Sequence, residues 1–123
     1  MSSEKDPILD SLEVKVKLWF ELNGELILGR GGALLLRGIA EKGSISQALK
    51  KLPKDALGEM ESPSYRFAWG YLQKVEERIG APIVKKQRGH SDGKGGTALT
   101  ELGIQLLDLF ETYEQKLKQI LEL

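Results

Sequence analysis

At 123 residues, 41% hydrophobic and 29% charged, the chain is long enough for one compact domain with a real core and too short for a second full one. It has no cysteine and a single histidine, His90, which excludes thiolate metal sites, disulfides, a cysteine nucleophile and histidine-pair zinc motifs. The formal net charge is zero, but residues 63–96 carry 7 Lys+Arg against 3 Asp+Glu while residues 97–123 carry 2 against 5, a segregation that suits one surface facing a polyanion and another facing something else.

No window approaches 18 apolar residues, and the start lacks the apolar core of a signal peptide, so a cytoplasmic protein outside the membrane is expected. No stretch has the acidic spacing of a calcium loop, and no metal or cofactor is expected.

Residues 1–12 are expected to form a flexible N-terminal arm, followed by a single domain over 13–123. From Glu13 the pattern alternates: Val14, Val16, Leu18, Phe20 and Leu22 point one way, Lys15, Lys17, Trp19 and Glu21 the other. Asn23-Gly24 is a strong hairpin signal, and Glu25–Gly29 returns, so residues 13–29 predict a two-stranded β-hairpin. An isolated hairpin is marginal in water, and its apolar face must be covered.

Residues 33–80 read as a helix-turn-helix region. Gly31-Gly32 predicts a break, and Ala33–Lys42 a helix with Leu35, Leu36, Ile39 and Ala40 inward, closed by Gly43. Ser44 opens a short second helix with Ile45, Ala48, Leu49 and Leu52 on its apolar face, ended by Pro53. The connection Pro53–Glu61 is about three times the usual three- or four-residue turn of a helix-turn-helix, and Ala56, Leu57 and Met60 suit an extra turn packed beneath it. The third helix is expected with Ser62 as cap, Pro63 at its first position and Gly80 as left-handed stop. At 100° per residue its Ala68, Leu72, Val75 and Ile79 face the core. The opposite side holds Arg66, Gly70, Gln73, Lys74 and Glu77, short of bulk at Gly70 and suited to a DNA major groove.

Residues 82–100 describe a wing: a basic strand bearing Lys85, Lys86 and Arg88, a glycine-rich tip with Lys94, and a second short strand at Thr97–Thr100. Glycines let the backbone approach phosphates and the cations neutralise them. The tip does not fit a nucleotide-binding loop, because Lys94 is followed by Gly and no strand leads from it into a helix. Residues 101–123 form the last helix, with Thr100 as cap. Its stripe of Leu106, Leu109, Phe110, Tyr113, Leu117, Ile120 and Leu121 is too long for so small a domain to bury alone, which predicts a dimer interface.

The fold expected is mainly α with small β hairpins: a winged helix-turn-helix with an N-terminal β-hairpin and a long C-terminal dimerisation helix. The chain resembles the N-terminal DNA-binding domain of the molybdate-responsive ModE family and related ModE-like or LysR-type winged helices. The resemblance rests on Lys17-Leu18-Trp19-Phe20-Glu21 with Asn23-Gly24, Leu28-Gly29-Arg30-Gly31, Gly43-Ser44-Ile45-Ser46-Gln47-Ala48 and Ser64-Tyr65-Arg66-Phe67-Ala68-Trp69. It continues through the run Gly89 to Gly96 and Leu99-Thr100-Glu101-Leu102-Gly103, in the family's order. The resemblance implies that Ser44, Ser46 and Gln47 lie near the DNA backbone, that Ser64, Tyr65 and Arg66 begin the recognition helix, and that the terminal helix dimerises. The Pro53–Glu61 insertion departs from the family pattern, and the chain ends where such a protein would continue into its molybdate-binding domain, so no molybdate binding is expected. The function expected is that of a homodimeric, DNA-binding transcriptional regulator of double-stranded DNA. The alternative is a winged-helix protein-protein interaction module without DNA binding, favoured by the zero net charge. An enzyme is not expected, since no serine, histidine and carboxylate set is indicated.

Overall fold

The computed structural model describes residues 4–53, 56–57, 64–87 and 96–122. Among them the chain forms a 3₁₀ turn at Pro7–Ser11, a hairpin of β1 (Trp19–Leu22) and β2 (Glu25–Gly29), and helices α1 (Arg30–Lys42), α2 (Ile45–Lys50) and α3 (Tyr65–Ile79). A second hairpin of β3 (Val84–Gln87) and β4 (Gly96–Leu99) then leads into the long helix α4 (Glu101–Leu121). The architecture is mainly helical, with two separate antiparallel hairpins. None of the described helices is long and apolar enough to cross a membrane.

Asn23 and Gly24 both take positive φ, 53° and 82°, as a two-residue hairpin turn requires. The ladder pairs Trp19 with Gly29 and Phe20 with Leu28, then shifts register before Glu21 meets Leu26. That bulge brings consecutive residues Ile27 and Leu28 into the core, which strict alternation forbids. The expected strand over residues 13–18 does not form. β2 ends at Gly29 and turns at once into α1, so residues 13–18 have no facing backbone, and Val14 is 76% exposed. Leu18 and Phe20 still pack on the core, whereas Leu22 is exposed.

Helix α1 starts at Arg30, three residues earlier than expected, and runs through Gly31 and Gly32. These glycines mark close approach instead of a break. A Cβ on Gly31 would lie 1.6 Å from the Ala56 carbonyl oxygen, and one on Gly32 would lie 2.2 Å from the Tyr71 Oη. The helix closes at Gly43, φ 68°, whose N–H donates to the Ile39 carbonyl. Ser44 caps α2, its Oγ accepting from the Gln47 N–H at 3.2 Å. In the following connection Leu57 is buried in the core beside the Ala56–Gly31 contact, whereas Met60 lies outside the described residues.

One core holds the molecule together, with Leu28, Leu35, Leu36, Ile39, Leu72 and Phe110 fully or almost fully buried. Phe110, expected on the dimerising stripe, is instead 0% exposed and meets Phe20 edge-on at 5.1 Å. The hairpin needs an aromatic lid on its inner face, and Phe110 supplies it. Leu106 and Leu117 are half-buried, while Leu109, Tyr113, Ile120 and Leu121 remain exposed. Arg37 of α1 grips Glu111 of α4 through two hydrogen bonds, and Glu111 raises the Arg37 pKa further above its usual value.

Two glycines give opposite expectations. A Cβ on Gly103 would sit 2.2 Å from the Ile83 carbonyl oxygen, so Gly103→Ala should lower stability by about 1–3 kcal/mol despite the better helix propensity. Gly70 has open space around it, and Gly70→Ala should raise stability by about 0.5–1 kcal/mol. Urea unfolding of both variants checks the pair, and equal effects of the same sign would contradict the packing described.

Burial raises the Tyr71 phenol pKa above its usual value, against a backbone hydrogen bond to Gly29 and the charge of Arg78 that lower it. Because the folded state holds the proton more tightly than the unfolded chain, this contribution is complete below about pH 10 and is lost as pH rises through the folded value. Stability should therefore fall more steeply above about pH 10 in the parent than in Tyr71→Phe. Parallel curves would remove Tyr71 as the cause.

Candidate nucleic-acid interface

Helix α3 begins two residues later than its sequence signals suggest. Ser64 is extended (φ −80°, ψ 165°) and its Oγ accepts from the Phe67 N–H at 3.1 Å, so Ser64 is the cap and the helix starts at Tyr65. Ser62 and Pro63 lie outside the described residues. Tyr65 and Arg66 thereby become the first two helical residues, both exposed.

Around the helix, Ala68, Leu72 and Val75 are buried and Ile79 is half-buried, as the periodicity predicts. Arg66, Gly70, Gln73, Lys74 and Glu77 are exposed on the other side. Arg78 is occupied elsewhere: its Nη1 donates to the Leu26 carbonyl at 2.7 Å, with Nε 3.6 Å from the Glu25 carboxylate. Its charge thus ties α3 to β2 and is withdrawn from the outer face.

Helix α2 packs between α1 and α3 through Ile45 and Ala48, leaving Ser46 and Gln47 exposed while the Ser44 hydroxyl serves as cap. On the second hairpin, Lys85 pairs with Ala98 and Lys86 with Thr97, and both lysines project into solvent. Arg88 and Lys94, with His90 between them, lie outside the described residues.

Both strands of this hairpin are anchored to the helices. The Glu76 carboxylate of α3 accepts from the backbone N–H groups of Ile83, at 2.7 Å, and Val84, at 3.1 Å. On the far strand, the N–H of the buried Thr97 donates to the Gly43 carbonyl at the end of α1. The sequence carries no signal for Glu76 in this role, because its partners lie across the Gly80 turn and are backbone groups. Sequence reading also misses the approach of Lys51 to Lys42, created by the α1–α2 turn. The Lys42 amine lowers the Lys51 pKa through a side-chain hydrogen bond and charge repulsion.

Glu76→Gln keeps the shape but removes the charge from both hydrogen bonds. It should cost about 1–2 kcal/mol and accelerate amide exchange selectively at Ile83 and Val84. Unaltered protection at those two amides would show that the carboxylate does not hold the hairpin.

No protein-family model matches the chain. Over 101 residues it is 30% identical to the transcriptional regulator ModE of Haemophilus influenzae, the match taking in 82% of this chain. The chain spans 36% of that relative's length. The similarity to a ModE-type transcriptional regulator thus extends over most of this chain, from a protein that is far longer.

Proposed function

We propose that the chain is a ModE-like, DNA-binding transcriptional regulator: a winged helix-turn-helix in which α3 enters the major groove, the β3–β4 hairpin is the wing, and α4 pairs two copies. The outer face of α3 carries this reading. Arg66, Gln73 and Lys74 surround Gly70, where nothing would lie within 4 Å of a Cβ, so a base edge can approach the helix backbone. The similarity to a transcriptional regulator supports the same reading.

In this arrangement Arg66 donates to a guanine edge or a phosphate and Gln73 reads a base edge farther along. Lys74, Lys85, Lys86, Arg88 and Lys94 neutralise phosphates, with Ser46, Gln47 and Tyr65 at the backbone flank. Ser44 and Ser64 act as caps that fix where α2 and α3 begin. The exposed Leu109, Tyr113, Ile120 and Leu121 are the apolar surface for homodimerisation, which sets two half-sites about one helical turn apart. The same apolar surface and the zero net charge favour, as a second reading, a winged-helix module that docks another protein without touching DNA.

Salt separates the two. Fluorescence anisotropy against labelled duplexes should show affinity falling steeply with salt, as phosphate neutralisation demands, and no binding at low salt would leave the protein-docking reading. Arg66→Ala should cost about 1–3 kcal/mol, relaxing selectivity if the guanidinium reads a base and weakening all duplexes alike if it holds a phosphate. Binding of this variant equal to the parent on every duplex would remove Arg66 from the interface.

A further inference from the structure

Among the described residues, two apolar features are left uncovered. The first is the N-terminal segment. Asp6 accepts from the Ile8 N–H at 3.0 Å and so preforms the 3₁₀ turn, none of whose residues is buried. Ile8 and Leu12 are 65% and 66% exposed, with Leu9 beside them. A turn already ordered by its own cap loses little conformational entropy on docking.

The second feature is an open groove of about 1170 Å³ between the lead-in to β1, the start of α1 and the C-terminal half of α4. Its apolar lining includes Leu26, Leu34, Leu117 and Leu121. Lys17, Arg30 and Lys118 also line it, against Glu111 and Glu114. Glu111 is held by Arg37, which leaves three cations facing one carboxylate. Residues 4–15 have the opposite balance, four carboxylates to two lysines.

We infer that the N-terminal segment of one copy docks in this groove of a second copy, with Ile8, Leu9 and Leu12 against the groove leucines and the acidic residues beside Lys17, Arg30 and Lys118. The inference rests on the homodimer reading and makes the interface a reciprocal exchange of arms in addition to any pairing of α4 faces. Exchange is symmetric: each copy supplies one arm and one groove, so a closed dimer satisfies both.

The cysteine-free chain makes the test direct. Full-length Leu12→Cys and full-length Leu121→Cys, mixed and oxidised, should give a disulfide between the two different chains, identified by peptide mass mapping. In sedimentation equilibrium, Ile8→Asp/Leu12→Asp should weaken dimerisation by about tenfold or more. Those positions are exposed, so the monomer should keep its circular dichroism and melting temperature. An intrachain disulfide in the monomeric double variant Leu12→Cys/Leu121→Cys would overturn the inference by placing the arm on its own groove. A dimer that ignores the aspartates and forms no 12–121 cross-link would overturn arm exchange while leaving the homodimer standing. A chain monomeric at all concentrations would overturn both.

Discussion

Ile83 is the residue through which the second hairpin is fixed to the rest of the molecule. Its side chain is fully buried, its N–H goes to the Glu76 carboxylate of α3, and its carbonyl accepts from the Thr100 N–H at the head of α4. Both backbone polar groups are satisfied, as burial requires. The carbonyl also occupies the space a Cβ on Gly103 would need, so α4 can come this close only because residue 103 has no side chain. Thr100 Oγ1 adds a bond to the Pro82 carbonyl while capping α4. Between Gly80 and Val84 the chain therefore has little freedom to pivot. If α3 and the hairpin contact DNA together, they meet it as one preset surface whose angle is decided here, away from any residue that would touch a base.

Helix α4 has two parts with different work. Its first half closes the core: Leu107 and Phe110 are buried, and Phe110 and Tyr113 both meet Phe20 edge-on. The Arg37–Glu111 pair lies next to this aromatic cluster. Being more than a third exposed on both sides, it contributes little stability, and its use is to set how α1 and α4 lie against each other. Beyond it the helix continues with Leu117, Ile120 and Leu121. A helix of 21 residues is about 30 Å long, more than one small core can cover. Leu121, exposed at its end, lies on the same side of the molecule as the exposed Trp19 and Leu26, since all three line one groove.

Local signals in the sequence proved reliable where one or two residues decide a backbone conformation. Asn23-Gly24, Gly43, Gly80 and Thr100 each act where their chemistry places them, as turn, left-handed stops and cap. Periodicity also found the buried face of α3. Failures arose wherever a distant element decided the outcome. Alternation over 13–18 has no ladder because β2 is consumed by α1, and Gly31-Gly32 is helical because Ala56 and Tyr71 press against it. Ser62-Pro63 and Ser64 are competing caps within one short stretch, and local chemistry does not rank them. Of the residues proposed at the interface, Arg66, Gly70, Gln73 and Lys74 were visible as the uncovered polar face of α3 and Lys85 and Lys86 as part of a basic strand, whereas Ser46, Gln47 and Tyr65 were implied only by the family resemblance. Glu76 was not visible, because a carboxylate that binds backbone across a turn leaves no pattern in side-chain spacing.

Zero net charge is compatible with a polyanion-binding surface, because charges act locally. At physiological ionic strength the screening length is about 8 Å, shorter than the radius of a domain of this size. A phosphate near α3 and β3 responds to Arg66, Lys74, Lys85 and Lys86, which are all exposed, and little to carboxylates on the remote end of α4. The acidic groups then act where they stand. Glu76 is committed to the hairpin and Glu111 to Arg37, and in the arm exchange inferred above the net negative charge of residues 4–15 meets the cationic groove beside α4. On that inference, the segregation that concentrates positive charge on one face also favours the N-terminal segment on the other, where its apolar residues are covered.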